Sequence, residues 1–404
     1  MSRHVPRQLP RWSDLRPLVR IETPAWRRAA RVRRAASVAD LRLIARRHTP
    51  RAVFDYVDGA AEGEISLARS RAAFARVEFR PRVLRDVSDP DLATTLLGRP
   101  ATMPLVLAPT GFTRMMHHEG EHAVAAAAAA AGVPYTLSTM GTVPPEGLDG
   151  SGGDRWFQLY LWQDRGATKD LVARAAASGY RALMLTVDTP VSGARLRDVR
   201  NGLTIPPDLT LRTLAGMARH PSWWFHLLTT PPLRFASLTS TDGALADLVD
   251  RVFDPRATPA DLEWLRDVWK GPLVVKGVQG AADARIVVDA GADAVVVSNH
   301  GGRQLDRAVT PLEELPAVVE AVGDRAEVYV DGGVLDGADV IAAVGLGARA
   351  GLVGRAYLYG LMAGGEAGVT RALELLRADM RRTLALLGAL SIGDLEPGCV
   401  RLRP

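Results

Sequence analysis

From Pro104 to Val353 the chain alternates short apolar runs with longer stretches of helical character. Apolar runs of this length, bounded by glycine and polar residues, predict strands that are buried on both faces, as in a parallel sheet. The alternation with helices indicates repeated strand–helix units. The eight predicted strands are Leu105–Ala108, Pro134–Leu137, Trp156–Leu161, Ala182–Val187, Leu273–Val275, Ala292–Val297, Glu327–Val330 and Ala350–Val353.

Helices are predicted between most of these strands, and glycine follows several of them as a left-handed C-terminal stop. The predicted helices between strands are Glu119–Ala131, Thr168–Ser178, Ala282–Ala290, Pro311–Val322 and Gly337–Leu346. Two further helices, Val38–Arg47 and Arg51–Asp58, precede the strands. A long helix, Glu366–Leu387, follows them and is expected to pack outside the sheet.

Eight strand–helix units over about 250 residues predict a (β/α)8 TIM barrel. A doubly wound open sheet is the alternative, but it would concentrate polar residues near one switch point. Here polar residues follow nearly every strand, which favours a barrel whose strand ends share one mouth. These residues are Pro109-Thr110-Gly111, Ser138, Gln158 with Tyr160, Thr186 with Asp188, Lys276, Ser298 with His300, Asp331-Gly332-Gly333 and Gly354-Arg355.

Three other segments complete the predicted organisation: a basic N-terminal extension (1–36), an insertion after strand 4 (189–272) and a C-terminal tail (396–404), around a barrel domain of residues 37–395. The insertion contains His220-Pro221-Ser222-Trp223-Trp224-Phe225. Adjacent tryptophans suit a membrane interface, where amphipathic rings settle. Packing beneath a lid or at a subunit contact is the equal alternative.

Charge is concentrated at the N-terminus. The net charge is +5, yet residues 1–36 carry ten arginines against Asp14 and Glu22, so the remainder is mildly acidic. This pattern suggests attachment to an anionic membrane surface or to a neighbouring subunit, with a solvated extension as the alternative. Nucleic acid is not expected as a partner, because the extension lacks a recognised binding module.

Cysteine usage and hydropathy bear on the compartment. The single cysteine, Cys399, excludes an internal disulfide framework and fits a reducing cytoplasm. No apolar run reaches the roughly 20 residues of a membrane span, and no secretory signal is recognisable. We expect a cytoplasmic protein, with the inner face of the cell membrane as the site that the basic extension would reach.

The strand ends carry a recognisable set of chemical groups. Glycine pairs after strands seven and eight, with Arg355, predict a phosphate site. Lys276 is either a Schiff-base nucleophile or a cation placed against developing negative charge. The residues thus indicate a cofactor that bears phosphate, and they predict no metal site.

A second group indicates the substrate. His300 is a candidate general base, and Asp188 is a carboxylate able to orient its ring. Arg195 and Arg303 offer planar guanidinium groups that match a carboxylate. These side chains predict a small carboxylate substrate and a histidine base, without naming the cofactor.

The nine residues after the sixth strand resemble the signature of the FMN-dependent α-hydroxy-acid dehydrogenase/oxidase family: Ser298-Asn299-His300-Gly301-Gly302-Arg303-Gln304-Leu305-Asp306. That family includes glycolate oxidase, lactate oxidase, mandelate dehydrogenase and membrane-associated L-lactate dehydrogenase. Similarity extends from about Ser37 to Leu395. Further matching segments are Phe54-Asp55-Tyr56, Ala108-Pro109-Thr110-Gly111, Leu137-Ser138-Thr139, Phe157-Gln158-Leu159-Tyr160, Leu185-Thr186-Val187-Asp188-Thr189-Pro190, Val275-Lys276-Gly277 and Asp331-Gly332-Gly333.

The resemblance implies FMN as cofactor and a role for each matching residue. His300 would take a substrate proton, with Asp188 on its other ring nitrogen, and Tyr160 would donate to the reacting oxygen. The substrate carboxylate would be held by Arg195, Arg303 and Tyr56. Lys276 would stabilise the reduced flavin electrostatically. The remaining residues implied to bind FMN are Thr110, Gly111, Ser138, Gln158, Thr186, Ser298, Asp331, Gly333, Gly354 and Arg355.

Two positions depart from the family pattern or leave substrate size open. Leu335 stands where many members have a phosphate-binding arginine, so FMN affinity is either weaker or maintained by Arg355 and helix N–H groups. Met140 stands where some relatives place an aromatic residue above the substrate side chain, and methionine is a flexible apolar wall.

The favoured hypothesis is oxidation of an L-2-hydroxy acid, lactate first, with electrons passed to a quinone. The quinone is favoured because Gly111, the insertion and the basic extension resemble the membrane-associated dehydrogenases more than the oxidases. One alternative is a same-fold oxidase that uses oxygen or acts on a larger hydroxy acid or a peptide-derived amine. Another is a non-catalytic scaffold, and the resemblance also implies a homotetramer.

Overall fold

A computed structural model describes residues 9, 11–16, 28–202, 218–238, 254–396 and 398–403. Eight parallel strands close into a barrel in which each strand pairs with its neighbours in chain order. This confirms the (β/α)8 prediction and excludes the open sheet. The strands are β1 Leu105–Leu107, β2 Tyr135–Ser138, β3 Arg155–Leu159, β4 Ala182–Thr186, β5 Leu273–Val278, β6 Ala294–Val297, β7 Glu327–Val330 and β8 Ala350–Val353.

The apolar runs are continuous because both faces of each strand are covered. In β6, Ala294 and Val296 join the core inside the barrel, whereas Val295 and Val297 join the core between the barrel and its helices. Inside the barrel Trp156 packs edge-to-face on Tyr329, with 6.0 Å between the ring centroids. Leu96, from a hairpin of Thr94–Leu96 and Arg99–Ala101, belongs to the same interior core.

Helices surround the barrel, and most lie within a few residues of their predicted bounds. The α-helices are Trp12–Leu15, Arg28–Arg34, Val38–His48, Arg51–Asp58, Ile65–Ala75, Thr113–Met116, Gly120–Ala131, Arg165–Ala177, Leu196–Asn201, Pro221–Leu228, Pro259–Val268, Ala281–Asp289, Pro311–Val322, Gly337–Gly345 and Arg355–Leu387. Short 3-10 helices cover Pro145–Leu148, Ala236–Leu238, His300–Gly302 and Ile392–Asp394.

The last helix differs from its prediction, because it begins at Arg355 rather than Glu366. Its first part was not recognised because Gly364 and Gly365 interrupt it with non-helical backbone angles. The Glu119 carboxylate accepts a hydrogen bond of 2.8 Å from the backbone N–H of Glu366, which starts the second part. As expected, this terminal helix packs outside the barrel, against Val38–His48 and Gly120–Ala131.

Strand β5 also differs, because it extends to Val278 rather than ending at Val275. The pairing with β6 shifts register between Lys276 and Val278, which marks a β-bulge. Gly277 lies in the bulge with a φ of +106°, a conformation that favours glycine. The bulge carries the strand past Lys276 and so fixes that side chain at the barrel mouth.

Segments near both ends of the chain dock on elements that lie outside the barrel strands. Arg28 donates hydrogen bonds of 2.5 Å to the backbone oxygens of Met362 and Ala363, and Val32 is buried. In the predicted tail, Val400–Leu402 pairs antiparallel with Val77–Phe79. The domain boundaries at residues 36 and 395 stay predictions, but the segments beside them are docked.

The insertion is described for residues 189–202, 218–238 and 254–272. Its helix Pro221–Leu228, hereafter the insertion helix, lies at the barrel rim, where the Trp223 indole donates to the Met115 backbone oxygen over 3.0 Å. Phe225 and Leu228 point outward and are 64% and 73% exposed. Among the described residues, no helix combines the length and apolarity needed to cross a bilayer.

Candidate active site

A cavity of about 920 Å³ opens at the carboxyl ends of the strands, which is the size range of ligand sites. Most residues predicted to form the site line it, although they come from segments far apart in sequence. The predicted residues lining the cavity are Tyr56, Thr110, Gly111, Ser138, Tyr160, Thr186, Arg195, Lys276, His300, Arg303, Asp331, Gly333, Gly354 and Arg355. Gln158, Asp188 and Ser298 lie just behind this wall and contact residues in it.

His300 and Asp188 form a hydrogen-bonded pair. The His300 Nδ1 lies 2.9 Å from the Asp188 Oδ1, so Nδ1 donates to the carboxylate and Nε2 is the nitrogen that can accept a proton. His300 has a φ of +57°, and its backbone N–H donates to the Ser298 Oγ over 3.0 Å. Burial opposes ionisation of Asp188, but His300 and then Lys276 outweigh burial and lower its pKa. The pair therefore has the arrangement of a base with its orienting anion.

Lys276 is held as a buried cation. Its Nζ donates to the Ser298 Oγ and to the Asp331 Oδ2, each over 2.9 Å. Burial alone would lower its pKa, but Asp331 and Asp188 together raise the pKa above the usual value. A protonated, ion-paired ammonium is a poor nucleophile, so the geometry favours the electrostatic alternative over the Schiff base.

Two guanidinium groups flank the Tyr56 ring. The centres of the Arg303 and Arg195 guanidinium groups lie 4.7 and 6.0 Å from the ring centroid. Arg303 also donates to the Tyr56 backbone oxygen. Burial, and then the charge of Arg195, lower the pKa of Arg303. Within the described part of the chain neither guanidinium has an ion-pair partner within 4 Å, although the Asp198 carboxylate lies near both, so the two charges can form a site for an anion.

Several buried polar atoms beside the cavity have no partner among the described residues. They are the Gln158 Nε2, the Thr186 Oγ1 and the Asp331 Oδ1. Buried polar groups are normally hydrogen-bonded, so these atoms indicate a polar ligand. Gln158 accepts from the Ser138 Oγ over 2.9 Å through its Oε1, which leaves the amide N–H₂ as the donor. A donor and a hydroxyl on adjacent strands fit the carbonyl and nitrogen groups of an isoalloxazine ring.

The residues at the ends of β7 and β8 agree only in part with the predicted phosphate site. Gly332 and Gly333 have φ of +88° and +95°, as expected of a backbone that approaches a ligand. Arg355, however, donates to the backbone oxygens of Val57, Gly59 and Gly301 at 3.0, 2.7 and 3.0 Å. Its guanidinium therefore also fastens the C-terminal end of helix Arg51–Asp58 to the loop of His300.

A second cation lies at this end of the cavity. Arg71, from helix Ile65–Ala75, contacts the Gly333 backbone oxygen and lies 2.5 Å from the Asp339 Oδ2. Arg71 and Leu335 both line the cavity. Arg71 was missed because it lies on a helix that precedes the barrel and carries no motif of its own.

Other residues that the sequence did not reveal act by supporting the wall. The Tyr357 hydroxyl contacts the Thr110 Oγ1 and donates to the Ala108 backbone oxygen over 2.9 Å. Phe235, from the insertion, packs on Phe112 with ring centroids 4.3 Å apart. Only the position of Tyr357, two residues after Arg355, offered a signal.

Comparison with known proteins identifies the family. The sequence model described as FMN-dependent dehydrogenase matches residues 45–402. The chain belongs to this family. The prediction of the FMN-dependent α-hydroxy-acid dehydrogenase/oxidase family, with FMN as cofactor, is thereby confirmed, and the chain is an oxidoreductase rather than a non-catalytic scaffold.

Individual relatives extend the similarity over nearly the whole chain. A protein of Mycobacterium tuberculosis (strain ATCC 25618 / H37Rv), named "Putative L-lactate dehydrogenase", is 53% identical over 97% of this chain and 96% of its own length. An L-lactate oxidase of Nostoc sp. (strain PCC 7120 / SAG 25.82 / UTEX 2576) is 42% identical over 89% of this chain and 96% of its own. The crystal structure of the monotopic membrane protein (S)-mandelate dehydrogenase superposes with a TM-score of 0.88 at 38% identity, covering 91% of this chain and 100% of that one.

Proposed function

We propose that this enzyme oxidises L-lactate to the corresponding 2-keto acid and passes the electrons to a quinone. The observation that carries the proposal is the combination of a histidine base with two neighbouring guanidinium groups around one cavity. Oxidation of a 2-hydroxy acid needs both features. Its carboxylate must be anchored while a base removes a proton from the hydroxyl group or from the carbon that bears it. Relatives that are named for lactate support this choice of substrate.

Binding would begin at the arginines. Arg195 and Arg303 would hold the substrate carboxylate, with Tyr56 between them, and this contact would fix the hydroxyl-bearing carbon beneath His300. Tyr160 would donate a hydrogen bond to the substrate oxygen. Burial, and then the neighbouring charge of Asp188, raise the pKa of Tyr160, which keeps its phenol protonated at neutral pH.

Proton removal would follow at the His300 Nε2. Asp188 would hold the ring through Nδ1 and stabilise the imidazolium that forms. When bound, FMN supplies the two-electron acceptor for this oxidation. Gln158, Thr186 and Ser138 would hold its ring, and the Lys276 cation would offset the negative charge that the ring gains.

Flavin reduction and turnover test the substrate. The purified FMN enzyme, mixed anaerobically with L-lactate, should lose its yellow absorbance, and D-lactate is the matched control. Bleaching by mandelate or longer 2-hydroxy acids but not by L-lactate would instead favour a larger substrate, which Met140 and the likeness to mandelate dehydrogenase motivate. No bleaching by any of these acids would refute 2-hydroxy-acid oxidation.

The acceptor is the second part of the proposal. Contact with the inner face of the cell membrane is supported by the outward Phe225 and Leu228 and by the arginines of residues 1–36. An enzyme held there would meet a quinone within the bilayer. The similar Nostoc L-lactate oxidase motivates oxygen as the rival acceptor. Turnover with a short-chain quinone should exceed turnover with air-saturated buffer, and the reverse result would favour an oxidase.

A further inference from the structure

Four histidines surround a second, very small cavity beneath the insertion helix. They are half of the eight histidines in the chain: His48, His117, His118 and His226. The cavity measures about 10 Å³, which is the room that one water molecule or one ion occupies. The proposed reaction uses none of these side chains.

The donor atoms converge in this cavity. The ligand atoms of His117, His118 and Glu119 all lie within 4.8 Å of one another, and the His117 Nδ1 is 3.6 Å from the Glu119 Oε2. The His226 ring stacks on the His118 ring with centroids 4.0 Å apart, but its nitrogens lie outside this 4.8 Å group, so the His226 side chain would have to turn to reach the ion. The His118 Nδ1 is buried and has no hydrogen-bond partner in the described part of the chain. Two imidazoles and a glutamate are a known zinc ligand set, and a third imidazole would complete a tetrahedron.

Two positive charges border the site and oppose a cation, and the Glu119 carboxylate offsets them in part. Arg28 and Arg114 also line the cavity, but Arg28 donates to the Met362 and Ala363 backbone oxygens and Arg114 donates to the Pro231 backbone oxygen. Their guanidinium groups are thus engaged with carbonyl oxygens, while the Glu119 carboxylate faces the histidines.

We propose that His117, His118 and Glu119, with His226 as fourth ligand, bind one Zn²⁺ that fastens the insertion helix to the barrel rim. The site joins three segments, because Glu119 also accepts from the Glu366 N–H at the break in the terminal helix. Met116 lines both this cavity and the active-site cavity, so the site borders the active-site wall. Its role is structural, since no described ligand reaches the substrate side.

Zinc binding to the tag-free FMN enzyme tests the site. After chelator treatment, equilibrium dialysis against Zn²⁺ at micromolar free concentration should yield one zinc per chain by elemental analysis. His117→Ala/His118→Ala should abolish this equivalent, and His226→Ala should weaken its affinity at least tenfold. His122→Ala is the matched control, because this histidine is exposed on the neighbouring helix and should bind zinc as the wild type does.

Amide hydrogen exchange distinguishes a fastening role from adventitious binding. Zn²⁺ should slow exchange in Pro221–Leu228 of the wild type and of His122→Ala, but not in His226→Ala. FMN content and melting temperature without zinc establish that each variant is folded. Failure of the wild type to bind zinc overturns the proposal. An equivalent that survives in His117→Ala/His118→Ala, or zinc binding without any effect on exchange, also overturns it.

Discussion

The arrangement of individual side chains divides the site into an anchoring part and a proton-accepting part. Arg195 and Arg303 have no ion-pair partner within 4 Å in the described part of the chain, although Asp198 lies near both, whereas the charge of Lys276 is balanced by Asp331. His300 lines the same cavity, its ring held by Asp188. Replacement of an arginine, of Lys276 or of His300 should therefore change a different measured property of the enzyme in each case.

His300→Ala should retain FMN and lose roughly 10²- to 10⁴-fold in turnover with L-lactate, because the substrate proton then has no positioned acceptor. Stopped-flow measurement of flavin reduction gives the rate directly, and the absorbance of the purified variant gives its FMN content. Turnover within tenfold of the wild type would show that another group is the base.

Arg71→Gln should weaken FMN binding roughly ten- to hundredfold and leave riboflavin binding unchanged, because we expect Arg71 to face the phosphate at the end of the cavity that Leu335 also lines. Titration of the apoprotein by flavin fluorescence measures both affinities. Arg69→Gln is the control, since Arg69 is exposed on the same helix.

A rescue variant sharpens the test of Arg71. Adding Leu335→Arg to Arg71→Gln should restore FMN affinity by returning a cation to the same end of the cavity. If Arg71→Gln weakens riboflavin as much as FMN, then Arg71 supports the wall through Asp339 rather than binding the phosphate.

Among the secondary-structure elements, irregular ones carry most of the function. The bulge in β5 allows Asp188 to approach Lys276, since a Cβ added at Gly277 would lie 2.7 Å from the Cβ and Cγ of Asp188. The insertion helix presents an apolar surface on its outer side and contacts the rim on its inner side. An ideal barrel has neither feature, so each is a suitable target for mutagenesis.

Gly277→Ala should destabilise the protein by about 1–3 kcal/mol or more, because alanine is strained at a φ of +106° and its Cβ would displace Asp188. Turnover should also fall, because the His300 ring would lose its hydrogen-bond partner Asp188. Urea unfolding and flavin reduction measure the two effects. Gly280→Ala, at an extended φ with nothing within 4 Å of the new Cβ, should change neither by much.

Replacement of Phe225 and Leu228 by serine should weaken binding to anionic lipid vesicles by at least roughly 100-fold, because each buried apolar side chain contributes about 1.5–3 kcal/mol. Vesicle co-sedimentation measures the affinity. Leu386→Ser removes a comparably exposed leucine, 70% exposed on the terminal helix, and should leave binding intact. Equal vesicle binding by the double variant would assign the contact to the basic extension alone.

Across the whole molecule, stability and chemistry are placed at opposite ends of the barrel. Trp156 and Tyr329 fill the interior with Leu96 of the N-terminal hairpin, whereas the cavity opens at the carboxyl ends of the strands. This separation is the general arrangement of TIM barrels.

Trp156→Ala should lower the free energy of unfolding by about 3–5 kcal/mol, because it leaves a cavity in a fully buried core. Turnover per bound FMN at 25 °C should stay within a few-fold of the wild type, since the indole is remote from the cavity. Denaturant titration and flavin-normalised kinetics separate these effects, and a large loss of turnover in the folded variant would contradict the separation.

The pattern of apolar and polar residues was sufficient to predict the eight strands, the barrel and most of the residues that line the cavity. The apolar runs fix which segments are buried on both faces, and parallel strands bring their carboxyl ends to one mouth, so polar residues after each strand had to meet there. Local patterning was sufficient because the burial of a strand and the polar residues at its end are both read from residues close together in the sequence.

The contacts between distant segments could not be predicted and are known only from the folded molecule. The bulge at Gly277, the carbonyl ligands of Arg355, the approach of Arg71 to Gly333 and the convergence of four histidines all join residues that no spacing relates. Such pairs are set by how the helices and the insertion pack once the barrel has closed. That packing depends on the summed shape of many side chains, and no single stretch of sequence encodes it.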